Sequence, residues 1–206
     1  MFENIYILGA GGHAKVLIST LLANGHRVAA VYDDDTSLAG TEILGVPVAG
    51  TIKDLPQDFA EPAAIGIGDN RIRKSIADRF AQCPWVVAVH PKAHIAPTAQ
   101  LGPGSVVFAG AVVQSEARLG RHVIVNTGAT VDHDCEVGDF SHIAPGAHIA
   151  GQVRLGTGAL AGIGCSIIQN LLIGDWTKIG AGAAVIDNLP ANVTAVGIPA
   201  RIVKEN

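Results

Sequence analysis

The chain has 206 residues, enough for one or two domains, with a formal net charge of −4 and only 4% aromatic residues. This slight acidity leaves no electrostatic footprint for nucleic acid or for an anionic membrane. Three cysteines, Cys83, Cys135 and Cys165, make neither an even disulfide framework nor a zinc-ligand spacing.

Met1 runs directly into a strand-like Asn4–Leu8, without the basic start and long apolar run of a signal peptide, so a cytoplasmic protein is expected. Gly9-Ala10-Gly11-Gly12-His13-Ala14 follows, and Val16, Leu17, Leu21 and Leu22 then recur at helical spacing up to a stop at Gly25. Arg27–Tyr32 is the next strand and ends in Asp33-Asp34-Asp35. Val46–Val48 and Ala63–Gly68 read as short strands, Asn70 stands where it would cap a charged helix over Arg71–Gln82, and Val86–Val89 is the last strand. This alternation predicts a small parallel, Rossmann-like α/β domain over residues 1–90.

The glycine loop matches Gly-x-Gly-x-x-Ala, and Asp33 follows about twenty residues on, where a dinucleotide fold places its ribose-binding acid. Amide groups at the helix start favour phosphate. A nicotinamide dinucleotide, a nucleotide-linked sugar using the same phosphate contacts, and a tight turn without a ligand all fit. The domain is only half of a full dinucleotide fold, and no second half follows, which weighs against the first.

From Ile95 to Val185 every sixth residue is a lead position, giving sixteen consecutive hexads, fifteen led by Ile, Leu or Val and one by Ala161. The fifth position is usually small, as in Ala111, Ala129, Cys135 and Ser141, and glycine often fills the second, as in Gly102, Gly120, Gly138, Gly156, Gly174 and Gly180. A period of six fits neither a helix nor a plain strand. It predicts a parallel β-helix over residues 91–206, each hexad supplying one short strand and one turn. The leads fill the prism, the fifth residue tucks into a corner, and the second-position glycine serves a turn of awkward φ. Leu155–Gly174 is uncharged and about as long as a membrane span. Its five glycines and unbroken register make it solenoid wall instead. The tail beyond Pro190 is expected to close the open end of the prism.

His133 and Asp134 are third and fourth in their hexad, outside the wall lined by positions one and five. An exposed imidazole titrating near neutrality suits a general base, and an adjacent carboxylate raises its basicity. Cys135 lies two residues away and would make a Cys–His nucleophile, but its inward fifth position, shared with Cys165, points to inert packing and to direct attack without an acyl-enzyme. His148 repeats the hexad position of His142. His26, His90, His94 and His122 are expected at the surface or an interface. No His or carboxylate pair has a ligand spacing on a helix, so no metal is expected.

The hexads, ending in Gly197-Ile198-Pro199-Ala200-Arg201, resemble the hexapeptide-repeat acyltransferases, which form a left-handed β-helix of three hexads per coil. With Gly-Ala-Gly-Gly-His-Ala-Lys at the first loop, Asp33-Asp34, and Ile67-Gly68-Asp69-Asn70-Arg71-Ile72-Arg73-Lys74, both domains are similar to the N-acetyltransferases of UDP-linked 4-amino sugars (the bacillosamine route) and the related sialic-acid O-acetyltransferases. The resemblance implies acetyl-CoA as cosubstrate, a nucleotide-linked amino sugar as acceptor, and a homotrimer with active sites between neighbouring prisms. It implies that Gly11, Gly12 and His13 contact the nucleotide sugar, that Asp33 and Asp34 lie at its uridine end, and that Gly68 lets the backbone approach it. Asn126, seven residues before His133, joins that substrate-binding set. His133 and Asp134 become the catalytic pair, His142 lies by the acetyl-CoA thioester, and coenzyme A touches backbone near Ile163 and Ala181, one coil apart. Asp69 stands where the bacillosamine enzymes tend to have Asn, an additional negative charge near a diphosphate.

The expected activity is acetyl-CoA-dependent N-acetylation of a UDP-linked amino sugar with His133 as general base. O-acetylation of a sialic acid would keep every motif, and a non-enzymatic nucleotide-sugar-binding solenoid is the third reading. His133 and His142 are nine residues apart, half of an eighteen-residue coil. One prism would hold them apart, and a neighbouring subunit is expected to supply one of them.

Overall fold

The computed structural model describes residues 4–205; the start of the chain, on which the expectation of no leader rests, lies outside the described residues. The chain divides between Pro91 and Lys92 into two compact units.

The first unit contains β1 (Ile5–Leu8), α1 (Gly12–Ala23), β2 (Val28–Tyr32), β3 (Glu42–Ile43), β4 (Val46–Gly50), β5 (Ala63–Ile65), α2 (Asn70–Arg79) and β6 (Ala88–Val89). Its sheet runs β3-β4-β2-β1-β5 and is parallel except where β3 meets β4. The expected all-parallel sheet is corrected by this hairpin. Leu44 and Gly45, at φ 52 and 77, form its two-residue turn, and positive φ at both positions matches the twist of paired strands.

Helix α1 buries Ala14, Leu17, Ile18 and Leu21, a run at i, i+3, i+4 and i+7 that sets the stripe facing the sheet. Val16 and Leu22, expected on that stripe, are exposed. Helix α2 is capped by Asp69, not Asn70: Asp69 Oδ1 accepts from the amides of Arg71 and Ile72, both at 2.9 Å. It ends at Arg79 rather than Gln82 and brings Ile76, Ala77 and Phe80 into the core. Phe59 meets Tyr6 at 5.7 Å and Phe80 at 6.0 Å, both edge to face. The last strand is confined to Ala88–Val89, and ahead of it Val86 N donates to Ala63 O at 2.9 Å beside an isolated parallel bridge between Trp85 and Ala63.

The second unit holds sixteen two-residue strands, β7 (His94–Ile95) to β22 (Ala184–Val185), each ending in a lead residue. Every third strand joins the same sheet: β7 lies in the first, β8 (Gln100–Leu101) in the second and β9 (Val106–Val107) in the third. From β7 to β19 (Ser166–Ile167) each strand pairs in parallel with the residues eighteen positions on, as Ile124 with His142 and Thr130 with His148. The leads from Val107 to Val185 are all buried, each contributing roughly 1.5–3 kcal/mol where it is Val, Leu or Ile. Buried hydroxyls are satisfied within the wall: Ser105 Oγ donates to Gly120 O at 2.8 Å and Ser141 Oγ to Gly156 O at 2.7 Å.

The turn geometry corrects the role expected of glycine. From Gly104 to Gly182 the fourth residue of every hexad has positive φ: seven glycines, and Glu116, His122, Asp134, Phe140, Gln152, Asn170 and Trp176 at φ between 53 and 63. The second-position glycines serve close approach of the next coil instead. A Cβ on Gly138 would stand 2.6 Å from Thr157 N, and one on Gly174 2.3 Å from Ala191 N. After β22, β23 (Val193–Val196) adds to β21 (Lys178–Ile179) as the next parallel rung, and β24 (Arg201–Glu205) turns back antiparallel to it. No helix among the described residues is long and apolar enough to cross a membrane.

Asparagine tolerates a left-handed backbone but not a backbone atom where its Cβ must go. Gly182 has φ 65 and nothing within 4 Å of a would-be Cβ. In urea denaturation Gly182→Asn is therefore expected to change stability by less than about 1 kcal/mol, and Gly138→Asn to lose about 1–3 kcal/mol. Equal losses would refute the two assigned glycine roles.

Candidate active site

His133 sits on the turn between β13 (Thr130–Val131) and β14 (Glu136–Val137), where the first sheet passes to the second. Asp134 takes the left-handed fourth position at φ 57, a conformation that Asp adopts more readily than most residues. Its Oδ2 meets His133 Nδ1 at 2.7 Å, with both side chains more than half exposed. The carboxylate accepts the Nδ1 proton, so in the neutral ring Nε2 carries the lone pair. The hydrogen bond from Asp134 is the largest cause raising the imidazole above its ordinary 6.5. Desolvation opposes it to a smaller extent, and the charges of Asp132 and Asp134 add lesser upward effects. Asp132 also binds the His133 amide, Oδ1 to N, at 2.8 Å.

The ring lies against the next coil. A Cβ on Gly151 would stand 2.6 Å from both His133 Cε1 and Nε2. Only glycine leaves that ring position open, and Gln152 N donates to His133 O at 3.0 Å to hold the two turns together. Gly151 belongs to no motif of the sequence, but it lies one eighteen-residue coil after His133.

His142 lies elsewhere on the coil, on β15 (His142–Ile143) of the third sheet. Asn126 Nδ2 lies 3.0 Å from its Nε2. Asn126 Oδ1 accepts from Thr127 N at 2.8 Å, which fixes the amide with its NH2 toward the ring and makes Nε2 the acceptor. Asn126 thus stands beside His142. One chain joins His133 with Asp134 and His142 with Asn126, but holds the two pairs on different sides of the coil. His148 Nδ1 lies 3.0 Å from Thr130 Oγ1 on the first sheet. His122, expected at the surface or an interface, is instead buried within its own chain, 1% exposed and stacked on Phe140 at 5.2 Å. Ile163 and Ala181 are both exposed on the turn after the third sheet, and the amide of Gly182 donates to Ile163 O at 2.8 Å.

Cys135 and Cys165 are fully buried, and burial raises both thiols, Cys165 to about 11. Cys135 Sγ is turned inward to Ala150 O at 3.1 Å. Neither thiol is a ready nucleophile. Among the described residues, no group of three or more His, Cys, Asp and Glu could hold a metal ion.

In the first unit the chain leaves β1 toward β2 and β4 on one side and returns to β5 on the other, so the loops after β1 and β5 flank the point where strand order reverses. Gly9, at φ 109, and Gly66, whose Cβ would stand 2.8 Å from Ala14 Cβ, are demanded by the fold. Gly11 and Gly12 are not: nothing lies within 4 Å of a Cβ on either, and Gly11 starts α1 without a side-chain cap. His13 is half-buried in the first turn of α1. Asp33 is tied to the glycine loop, its Oδ2 accepting from Ala10 N at 2.6 Å and its Oδ1 from Asp35 N at 2.8 Å. Asp34 accepts from Lys53 N at 3.0 Å, with Lys53 Nζ at 3.7 Å. Gly68 O accepts from Arg73 Nη1 at 3.0 Å.

Followed by NMR, His133 is expected to titrate above 6.5. Asp134→Asn should lower that pKa, since the hydrogen bond favouring the imidazolium is lost. Gly151→Ala should lower it too by pushing the ring off its carboxylate. An unchanged titration in both variants would refute the geometry.

A family model described as the PglD N-terminal domain matches residues 4–80. UDP-N-acetylbacillosamine N-acetyltransferase of Bacillus subtilis (strain 168) is 40% identical over 114 residues, 52% of this chain and 52% of that protein. The chain thus spans about half of that curated relative, and 24% of a second one. The structure of PerB from Caulobacter crescentus, in complex with CoA and GDP-perosamine, is 38% identical with a TM-score of 0.91 and covers 99% of both chains. The acetyltransferase domain of PglB from Neisseria gonorrhoeae FA1090, in complex with acetyl coenzyme A, is 37% identical with a TM-score of 0.90, covering 98% of this chain and 100% of that one. Matched over 98% or more of its length by PerB and the PglB domain, the chain belongs to the nucleotide-sugar N-acetyltransferase family of hexapeptide-repeat, left-handed β-helix acyltransferases.

Proposed function

We propose that the protein transfers the acetyl group of acetyl-CoA to the free amine of a UDP-linked 4-amino-4,6-dideoxy sugar. The observation that carries this reading is the exposed His133–Asp134 pair, oriented with Nε2 as its free base, in a chain similar throughout to PerB with its bound CoA and GDP-perosamine. The likeness to the Bacillus subtilis enzyme supports a uridine nucleotide.

In the proposed reaction, His133 Nε2 takes a proton as the sugar amine attacks the thioester carbonyl. A carbon–nitrogen bond forms, the carbonyl oxygen becomes an oxyanion held by coil amides, and collapse breaks the carbon–sulfur bond. The imidazolium returns its proton to the departing thiolate of coenzyme A. Asp134 holds the ring in the required tautomer throughout. No covalent acyl-enzyme is needed, in keeping with the buried, raised thiol of Cys135.

The glycine loop, with Gly11, Gly12 and His13, and the loop at Gly68 are assigned to the nucleotide sugar. The open space before Gly11 and Gly12 supports close approach of a ligand to backbone. Asp33 and Asp34 shape the uridine end through their ties to Ala10 and Lys53. The charge of Asp69 is directed at the α2 amides it caps, which reduces its conflict with a diphosphate. His142, with Asn126 behind it, and the exposed Ile163 and Ala181 are assigned to acetyl-CoA. Because His133 and His142 stand half a coil apart, on different sides of one prism, we assign the working unit to a homotrimer whose sites combine His133 and Asp134 of one subunit with His142 of the next. A cytoplasmic location fits its acetyl donor.

Thiol release from acetyl-CoA across UDP- and GDP-linked amino sugars, with a sialic acid as hydroxyl acceptor, tests the reaction. Turnover is expected with the UDP-linked amine; turnover with the hydroxyl alone would overturn N-acetylation. His133→Ala is expected to lose roughly two to four orders of magnitude in rate, whereas Cys135→Ala stays near wild type. Near-normal turnover by His133→Ala would remove it from the mechanism. Mixed His133→Ala and His142→Ala chains are expected to recover activity on subunit exchange; demonstrated exchange without recovery would refute the shared site.

A further inference from the structure

Arg73 is an arginine that the acetyl-transfer chemistry does not use, and it is 1% exposed. Burying a guanidinium is costly unless its donors are met. Here Nη1 donates to the carbonyls of Ile67 at 3.2 Å and Gly68 at 3.0 Å, and Nη2 to Asn70 Oδ1 at 2.8 Å. These acceptors lie in the loop after β5 and at the first residue of α2. That loop is locked beside the glycine loop, since a Cβ on Gly9 would stand 2.4 Å from Ile67 Cγ1.

Peptide planarity links the two faces of this loop. In a trans peptide the carbonyl and the following amide point in opposite directions. With the Ile67 and Gly68 carbonyls held inward by Arg73, the amides of Gly68 and Asp69 are turned away from the guanidinium. Among the described residues neither amide has an acceptor. Two successive amides turned away from the guanidinium are donors available to anionic oxygens, at the strand-order reversal where open α/β sheets bind their ligands.

We propose that Arg73 is a positioning residue for the nucleotide diphosphate: from within the core it orients the Ile67–Asn70 loop so that the amides of Gly68 and Asp69 meet phosphate oxygens. This deepens the reading above and rests on its assignment of the loop to the nucleotide sugar. Arg73 touches no substrate; the loop does.

Calorimetric titration of the full chain with UDP, GDP and the corresponding nucleosides tests the proposal, beside KM for acetyl-CoA. Arg73→Lys keeps the charge but lacks the fork that spans three acceptors. It is expected to weaken UDP or GDP binding about 10- to 100-fold, the worth of one or two hydrogen bonds to a charged group. Nucleoside binding, acetyl-CoA KM and the melting curve should stay near wild type. A folded variant that binds diphosphates normally, or loses nucleosides equally, overturns the proposal. Asn70→Ala removes only one acceptor and covers the case in which Arg73→Lys does not fold. It should show the same phosphate-selective loss at about 3-fold or more, and normal UDP and GDP binding by it would likewise overturn the assignment. Nucleotide binding by wild type without amino-sugar turnover refutes acetyl transfer alone, whereas no nucleotide binding by wild type refutes both.

Discussion

Backbone hydrogen bonds between successive coils, at a register of eighteen residues from His94 to Val185, are the constraint on which the second unit depends. Two-residue strands are too short to be stable singly; they persist because each is a rung in a ladder and its lead side chain is buried in a shared interior. The register survives only if every corner turns alike. Positive φ recurs at the fourth position whether or not the residue is glycine, so half of the corners carry a local conformational cost of about 1–2 kcal/mol that coil stacking offsets.

The same constraint builds the acid–base pair. Asp134 occupies a left-handed corner because the coil requires one there, and that backbone turn swings its carboxylate onto the preceding imidazole. The next coil presents Gly151 to the ring, so the histidine is held by a wall whose position is set by backbone pairing rather than by a mobile loop. The carboxylate fixes the tautomer and raises basicity while solvent keeps access to the ring, the combination a proton acceptor needs. Cys135, one residue further along, faces the interior. Adjacent positions thus differ completely in reactivity because the coil sends one outward and the other inward.

In the α/β unit the ordering forces are side chains that grip backbone. Asp33 ties the end of β2 to the glycine loop, and Arg73 grips the loop after β5. Both are charged residues turned toward main-chain groups, and together they hold neighbouring loops at one sheet edge. Asp69 shows how misleading a charge count can be: as the cap of α2 it is directed at helix amides, which changes what its negative charge means for an anionic ligand.

The hexad period alone determined the β-helix, its extent and which side chains line it, because a residue facing a narrow prism must be small or aliphatic at a strict interval. The outward third position of His133 and the inward fifth of Cys135 followed from the same count. Local chemistry was less legible wherever two residue types satisfy one demand. Asp69 and Asn70 both make good caps, and only the helix start distinguished them; second- and fourth-position glycines look alike in sequence, and only coil spacing and φ separated steric need from conformational need. The β3–β4 hairpin was hidden by its brevity, and the buried stripe of α1 was set by the direction in which the helix meets the sheet. The pairing of Asn126 with His142 and the burial of Arg73 were decided by tertiary structure alone, because each depends on which groups lie across from a side chain and not on which residues adjoin it in the chain.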